Sequence, residues 1–554
     1  MKKFVFVSGG VCSGLGKGVS ASSLGALLEA RGLNVRMVKC DPYINVDAGT
    51  MSPFEHGEVY VTDDGAETDL DLGNYARFTR GRLSRENSMT AGQVFSSVIE
   101  QEREGRYLGK CVQIIPHVTD EIKRRIMAVA DGDGDIDIVI VEIGGTVGDI
   151  ESIPFLEAAR QIIHERGRTN AVSVHLTLIT EVAGGELKTK PTQHSVKAMQ
   201  GMGLQPDVLI CRAPHVLDDD TRGKIALFTN VDGDAVFTSR DIDTTIYEIP
   251  LMFHEQGLDQ VVLKKMGTEF RHSNLRPWQA MMERFAARKG RVRIGVVGKY
   301  MELHDAYKSV YEALFHAGLE CAVEVEPVKI DSAILESEGG TASLYGLDGV
   351  LMPGGFGSRG IGGMVRAAQW ARSGGVPCFG ICLGMQVMVI EWCRNVIGWP
   401  DADSAEFNPD SGHRVISILD ELADVKNYGG TMRLGLWESV AEPGTKVGAA
   451  YAPDDGEEGK PARVRFGERH RHRYEFSNRY REEIAASGLK IAALTPDGAL
   501  VECVEWPDHA WGVGVQFHPE FKSRPTAAAP LFRDFVSAAR DFAFDRKRRE
   551  EGTA

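Results

Sequence analysis

The run Ser8-Gly9-Gly10-Val11-Cys12-Ser13-Gly14-Leu15-Gly16-Lys17-Gly18 lies between a short apolar segment, residues 3–8, and a helical pattern over residues 19–31. A strand that turns through glycines straight into a helix is the opening unit of a parallel α/β sheet. Buried-type runs at 35–39, 136–143, 171–179 and 207–211 continue the pattern, with helical stretches between several of them. At Arg291 the alternation restarts. Residues 292–298, 321–328 and 349–352 read as strands and 305–317 as a helix, and the last strand ends in Pro353-Gly354-Gly355. A chain of 554 residues exceeds what one core supports. The expected division is a first domain over 1–267, a polar, helical connector over 268–290, a second α/β domain over 291–545, and a charged tail, 546–554, that frays. The polar, turn-rich residues 453–461 read as a mobile surface loop.

Composition narrows the class. The formal net charge of −15 excludes a surface that acts as a polycation, so nucleic acid is not an expected partner. The basic run Arg469-His470-Arg471-His472-Arg473 stands alone against that background. Nine scattered cysteines without a CxxC pair read as reduced thiols, hence a cytoplasmic protein. Residues 376–393 are apolar over nearly a membrane's width, but Gln386, Glu391, Gly380 and Gly384 break them into strand, turn and helix. No membrane association is expected.

The first glycine run has the chemistry of a triphosphate site. Glycines aim backbone N–H groups at one point, the helix N-terminus adds partial positive charge, and Lys17 adds a full one. The plain alternative is a tight turn with no ligand. The pattern departs from a P-loop in two ways: Gly18 stands where Ser or Thr would hold magnesium, and the glycine spacing is one residue longer. Carboxylates must then serve the metal. Asp71, at the end of the acidic run Glu67-Thr68-Asp69-Leu70-Asp71, and Glu142, closing an apolar strand before Gly144-Gly145, are the candidates. The run by itself reads equally as a solvated face. Lys188-Thr189-Lys190-Pro191-Thr192-Gln193 reads as a loop able to hold phosphates and a base edge, or as a lysine-rich surface turn.

The second half carries Gly380-Ile381-Cys382-Leu383-Gly384, a cysteine version of the nucleophile elbow. Gln516-Phe517-His518-Pro519-Glu520 offers a base, His518, with an orienting carboxylate, Glu520. The backbone of Pro353-Gly354-Gly355-Phe356-Gly357 suits an oxyanion hole. Singly, each has an ordinary structural reading. Together they point to hydrolysis of a small amide through a thioester.

Pro-Gly-Gly-Phe-Gly, Gly-Ile-Cys-Leu-Gly-Met-Gln and Phe-His-Pro-Glu-Phe resemble a class I glutamine amidotransferase domain. Residues 39–47, Met51-Ser52-Pro53, His56-Gly57-Glu58-Val59, 67–73, 141–151 and 188–195 together resemble the CTP synthase family, and the likeness runs from Phe4 to about Phe542. The resemblance implies an N-terminal P-loop-like, dethiobiotin-synthetase-like parallel-sheet domain followed by a class I amidotransferase α/β domain. It implies an amidoligase in which ATP phosphorylates the 4-oxygen of UTP and ammonia from L-glutamine displaces the phosphate. ATP would meet Ser13, Gly14, Leu15, Gly16, Lys17, Gly18, Lys39 and Asp71, with Mg2+ on Asp71 and Glu142. UTP, or CTP as feedback inhibitor, would meet Ser13, Asp149, Ile150, Glu151, Lys188, Thr189, Lys190, Pro191, Thr192, Gln193 and Lys224. Cys382, His518 and Glu520 would form the triad, Gly355 the oxyanion hole, and Gly355, Gln386, Glu406 and Arg473 the glutamine contacts. An internal ammonia path, GTP as allosteric activator, a homotetramer and, in some members, filaments are implied as well. Cys12 and Gly14 fall where members vary, and none of the carried-over catalytic positions is substituted. Two rivals stay open: a ligase of the same plan with a different acceptor, and a nucleotide-binding filament protein without catalysis.

Overall fold

Phe4, Val5, Phe6 and Val7 are all buried, so strand Lys3–Gly9 is apolar on both faces, as the centre of a covered parallel sheet requires. The computed structural model describes residues 2–132, 134–418, 432–453 and 463–552, with side chains through 550. The loop expected at 453–461 lies outside the described residues, apart from Pro453. Two compact units result: Met1–Thr50 with Asp71–Met282, and Met51–Leu70 with Glu283–Ala554.

In the first unit, seven strands run in the spatial order Val236–Arg240, Val208–Ala213, Ala171–Leu178, Lys3–Gly9, Ile138–Ile143, Val35–Asp41 and Ser88–Thr90. Every pairing is parallel. The register sets Glu142 beside Val7 on one neighbour and beside Lys39 on the other. Ligand-facing groups therefore gather at the carboxyl ends of the central strands. Helix Lys17–Ala30 starts there, entered through Gly16 at φ 93°, a left-handed conformation that glycine adopts without strain.

The second unit is built on a nine-stranded sheet. Five strands are parallel, in the order Glu324–Asp331, Arg291–Gly298, Gly349–Met352, Cys378–Ile381 and Gly512–Val515. The antiparallel strands Val501–Glu505, Lys490–Leu494, Arg433–Ala441 and Val464–His472 continue it. One core packs helices Ile361–Gly374 and Leu383–Trp392 on one face, and another packs Lys308–Glu320 and Pro530–Gly552 on the other. The tail expected to fray from Arg546 continues this last helix to Gly552, and Arg546 pairs with Asp348 at 2.8 Å.

Segment Met51–Leu70 belongs by its contacts to the second unit. Glu58 accepts the Ser309 N–H at 3.1 Å, and the Arg469 guanidinium donates to Asp63 at 2.7 Å. Tyr60 donates to the Phe521 carbonyl at 3.0 Å, and Arg471 donates to Glu67 at 2.7 Å. No helix among the described residues is long and apolar enough to cross a membrane, and residues 376–393 resolve into strand Cys378–Ile381 and helix Leu383–Trp392.

Candidate active sites

In the first unit the parallel register fixes a charged cluster beneath the glycine turn. The Lys39 ammonium bonds the Asp71 carboxylate and lies 3.3 Å from Asp41 and 3.8 Å from Glu142. The Lys17 ammonium donates to the Gly145 carbonyl at 2.7 Å. Tyr75 donates to the second oxygen of Glu142, and Asn74 donates to Asp71 at 3.2 Å. Burial drives the Glu142 carboxyl up to about 7 against the pull of Lys39. Burial would also raise Asp71, but Lys39 holds it below its ordinary value. Burial lowers Lys17.

The substitution of Gly18 for the P-loop hydroxyl has a geometric cause. A Cβ at Gly18 would lie 2.4 Å from Oδ1 of Asp71 and 3.5 Å from Glu142, so the carboxylates occupy the space of the missing side chain. Among the described residues no group of three or more His, Cys, Asp or Glu forms a metal cage. One or two carboxylates completed by phosphate oxygens and water are what magnesium accepts, and Asp71 with Glu142 fit that donor set. Glu67, from the same acidic run, lies in the second unit and pairs with Arg471 there.

Ser13 and Gly14 are exposed on the turn, while Leu15 and Gly18 are buried and Gly16 and Lys17 half-buried. Asp149, Ile150 and Glu151 are exposed at the short 3-10 turn that leads into helix Ile153–Arg166. The expected loop at 188–193 is instead a hairpin strand, Glu186–Lys188, then helix Lys190–Gly201 with Pro191 in its first turn. Thr192 and Gln193 face inward: Thr192 donates to Thr177 at 3.1 Å and Gln193 to Thr189, itself buried, at 3.0 Å. Lys190 and Lys224 remain exposed and Lys188 half-exposed. Sequence reasoning did not single out Tyr75 or the buried His175. His175 joins Ser8 at 2.9 Å to Ser195 at 2.8 Å behind Gly10, where a Cβ would strike the Ser195 oxygen at 1.6 Å. A histidine inside an apolar strand was the available signal.

In the second unit three adjacent parallel strands deliver their chemistry to one edge. Pro353-Gly354-Gly355 follows Gly349–Met352, Cys382 follows Cys378–Ile381, and His518 follows Gly512–Val515. Cys382 has φ 55° and ψ −105°, a strained conformation for a non-glycine residue. The flanking glycines are obligatory: a Cβ on Gly384 would lie 2.1 Å from the Met352 carbonyl, and one on Gly380 would lie 2.6 Å from Gly384. A Cβ on Gly354 would sit 2.9 Å from the His518 ring. His518 Nδ1 bonds Glu520 at 2.7 Å, which orients the buried imidazole beside Cys382. Burial would lower His518, yet Glu520 and the adjacent Cys382 outweigh it and raise the imidazole to about 10.

A pocket beside Cys382 and His518 is lined by Pro53, Glu58, Val59, Tyr300, Gly354, Gly355, Phe356 and Arg471, all within this unit. Gln386 is buried and donates to the Tyr474 carbonyl at 2.8 Å. Glu406 accepts the Gly357 N–H at 2.8 Å, and burial raises its carboxyl despite Lys299 and Arg473 nearby. Lys299, absent from the sequence-based candidates, is buried and donates to the Phe356 carbonyl at 3.2 Å and to Gly357. Its one sequence signal is a lysine ending the apolar strand Arg291–Gly298.

A family model described as CTP synthase N-terminus matches residues 3–268, and one described as glutamine amidotransferase class-I matches residues 302–538. The CTP synthase of Acidobacterium capsulatum is 52% identical over 538 residues, covering 97% of this chain and 95% of that protein. The CTP synthase of Carboxydothermus hydrogenoformans is 53% identical over 540 residues, covering 97% and 99%. Among solved structures, the glutaminase domain of Trypanosoma brucei CTPS with bound acivicin is 40% identical, covers 45% of this chain and 94% of that chain, and has a TM-score of 0.41.

Proposed function

The chain belongs to the CTP synthase family, and from that premise we propose how its own residues share out the reaction. The enzyme aminates UTP to CTP, spending ATP through a 4-phosphorylated UTP and taking ammonia from L-glutamine hydrolysed at a Cys-His-Glu site. The proposed amidoligase domain spans 1–267 and the glutaminase domain 291–545, joined through 268–290.

In the glutaminase half, Cys382 is the nucleophile that attacks the side-chain amide carbon of glutamine. His518, oriented by Glu520, takes the Cys382 thiol proton and passes it to the departing ammonia, leaving a thioester that water then opens. The N–H groups of Gly355 and of Leu383, in the first turn of its helix and so without an intrahelical acceptor, stabilise the oxyanion. Gln386, Glu406 and Arg473 hold the substrate's polar groups. The observation that carries the reading is the strained Cys382 elbow facing the His518–Glu520 pair across neighbouring strand ends.

In the amidoligase half, Lys17 and Lys39 neutralise the ATP phosphates and the phosphoryl group in flight, since positioning and charge dominate phosphoryl transfer. Mg2+, held by Asp71 and Glu142, would supply further charge neutralisation at the phosphates. The exposed groups of Ser13, Asp149, Ile150 and Glu151, with Lys188, Lys190 and Lys224, suit the pyrimidine nucleotide, UTP or inhibitory CTP. Thr189, Thr192 and Gln193, buried as they are, shape that wall, and Pro191 starts its helix.

GTP activation, a homotetramer and a cytoplasmic location are part of this reading, as the family resemblance implies, with filaments in some members of the family. The deciding experiment measures CTP formation from UTP, ATP and magnesium, with glutamine or ammonium chloride as nitrogen source. Both should support synthesis, and Cys382→Ala should abolish only the glutamine reaction. Synthesis from neither source by folded protein would overturn the reading.

A further inference from the structure

Behind the glutaminase site runs a buried chain of polar contacts. The Arg433 guanidinium lies 2.7 Å from one oxygen of Glu502, and the other oxygen lies 3.3 Å from His470 Nε2. His470 Nδ1 meets His472 Nε2 at 2.9 Å, and His472 Nδ1 reaches the Tyr474 carbonyl at 3.2 Å. That same carbonyl accepts from Gln386. Arg433, Glu502, His470, His472 and Gln386 are all buried.

Hydrogen-bond chemistry gives the chain a direction. A carbonyl only accepts, so His472 carries its proton on Nδ1, and its Nε2 must accept from His470. Neutral His470 then presents a bare Nε2 to a carboxylate oxygen, and two acceptors do not face each other in the interior without a proton between them. Burial with Arg433 nearby keeps both imidazoles neutral, and burial raises the Glu502 carboxyl against the pull of Arg433, which favours a proton at this contact. The order of donation is His470 to His472 to the Tyr474 carbonyl, with Glu502 set 3.3 Å behind His470 Nε2.

We propose that His472 is a positioning residue for glutamine, holding the Tyr474 carbonyl in the place from which it orients Gln386, and that Glu502 anchors it through His470. The inference rests on the reading of Gln386 as a glutamine contact. None of these groups touches the reacting atoms, so their effect falls on substrate binding rather than on the thioester chemistry.

The test is a steady-state comparison of glutamine-dependent and ammonia-dependent CTP synthesis. His472→Ala should raise the glutamine KM about tenfold while ammonia-dependent kcat and KM stay within about twofold of wild type. His472→Asn, whose Nδ2 can replace Nδ1 toward Tyr474, should recover most of the loss. Glu502→Gln keeps an acceptor for Arg433 and an N–H for His470, so it should resemble wild type, whereas Glu502→Ala should resemble His472→Ala. An unchanged glutamine KM in His472→Ala overturns the proposal. So does equal loss from both nitrogen sources, or an Asn variant no better than Ala. If His472→Ala does not fold, the two Glu502 variants give the same decision. Wild-type protein that uses ammonia but not glutamine would instead bring down the glutaminase reading on which this rests.

Discussion

The space that a side chain on Gly18 would need is filled by the carboxylate of Asp71, whose Oδ1 stands 2.4 Å from the ideal Cβ position. The missing P-loop hydroxyl and the presence of an acidic residue at 71 are one feature. A short hydroxyl and a carboxylate cannot share the place, and the carboxylate is the stronger magnesium donor.

Gly18→Ala should therefore displace Asp71 and break its bond to Lys39. CTP synthesis should fall by about 100-fold or more with either nitrogen source, while glutaminase activity is retained. Parallel assays of CTP and glutamate release check this. Equal loss of both activities would mean that the change unfolds more than the site.

The glutaminase site makes a pH prediction. His518 is raised to about 10, burial being outweighed by Glu520 and Cys382. Because the folded value lies above the ordinary one near 6.5, the stabilisation is fully present below pH 6.5 and is lost as pH rises through about 10. The imidazolium is also the acid for the leaving ammonia. The alkaline limb of kcat/KM for glutamine should lie near pH 10, and Glu520→Gln should move it lower and reduce kcat roughly 100-fold. A limb that stays in place in Glu520→Gln would separate Glu520 from the titration.

Much of this site is legible in the chain because its signals are local. Gly380, Cys382 and Gly384 sit within one strand-turn-helix unit, and backbone crowding dictates each glycine. The glycine turn before Lys17 is legible for the same reason. The placement of Met51–Leu70 is not. It depends on Asp63 meeting Arg469 and Glu67 meeting Arg471, contacts some 400 positions apart that leave no periodicity behind. The acidic run 67–71 divides between two units for that reason, and Asp71 pairs with Lys39 in the first. Thr192 and Gln193 mislead similarly: polar residues beside lysines read as exposed, yet the helix that starts at Lys190 turns them inward.

Segment Met51–Leu70 lines the pocket beside Cys382 through Pro53, Glu58 and Val59, and the buried Arg469 holds it through Asp63 and Tyr60. Removing one partner of a largely buried charge pair strands the other. With Asp63 partly exposed, the cost should be about 2 kcal/mol. In Arg469→Met, amides of 58–68 should exchange hydrogen faster than in wild type while the core strand Gly512–Val515 stays protected. Uniform acceleration across the unit would assign Arg469 to global stability instead.

Lys299 ties the Phe356 and Gly357 carbonyls from beneath, and the loop they belong to carries Gly355 of the oxyanion hole. Burial lowers its ammonium to about 8, with Glu406 opposing. Here the sign is reversed relative to His518. The folded protein gives up this proton more readily than the unfolded chain, so the lysine's contribution to stability rises between about pH 8 and its ordinary value near 10.5. Lys299→Met removes that titration along with the two bonds. Its melting temperature should gain less than wild type's between pH 8 and pH 10, and its glutamine-dependent kcat should fall about tenfold as the oxyanion donors lose their fixed place. Ammonia-dependent synthesis should not change. If it does, the lysine supports more than the loop, and the link from Lys299 through Phe356 and Gly357 to Gly355 is broken as an explanation.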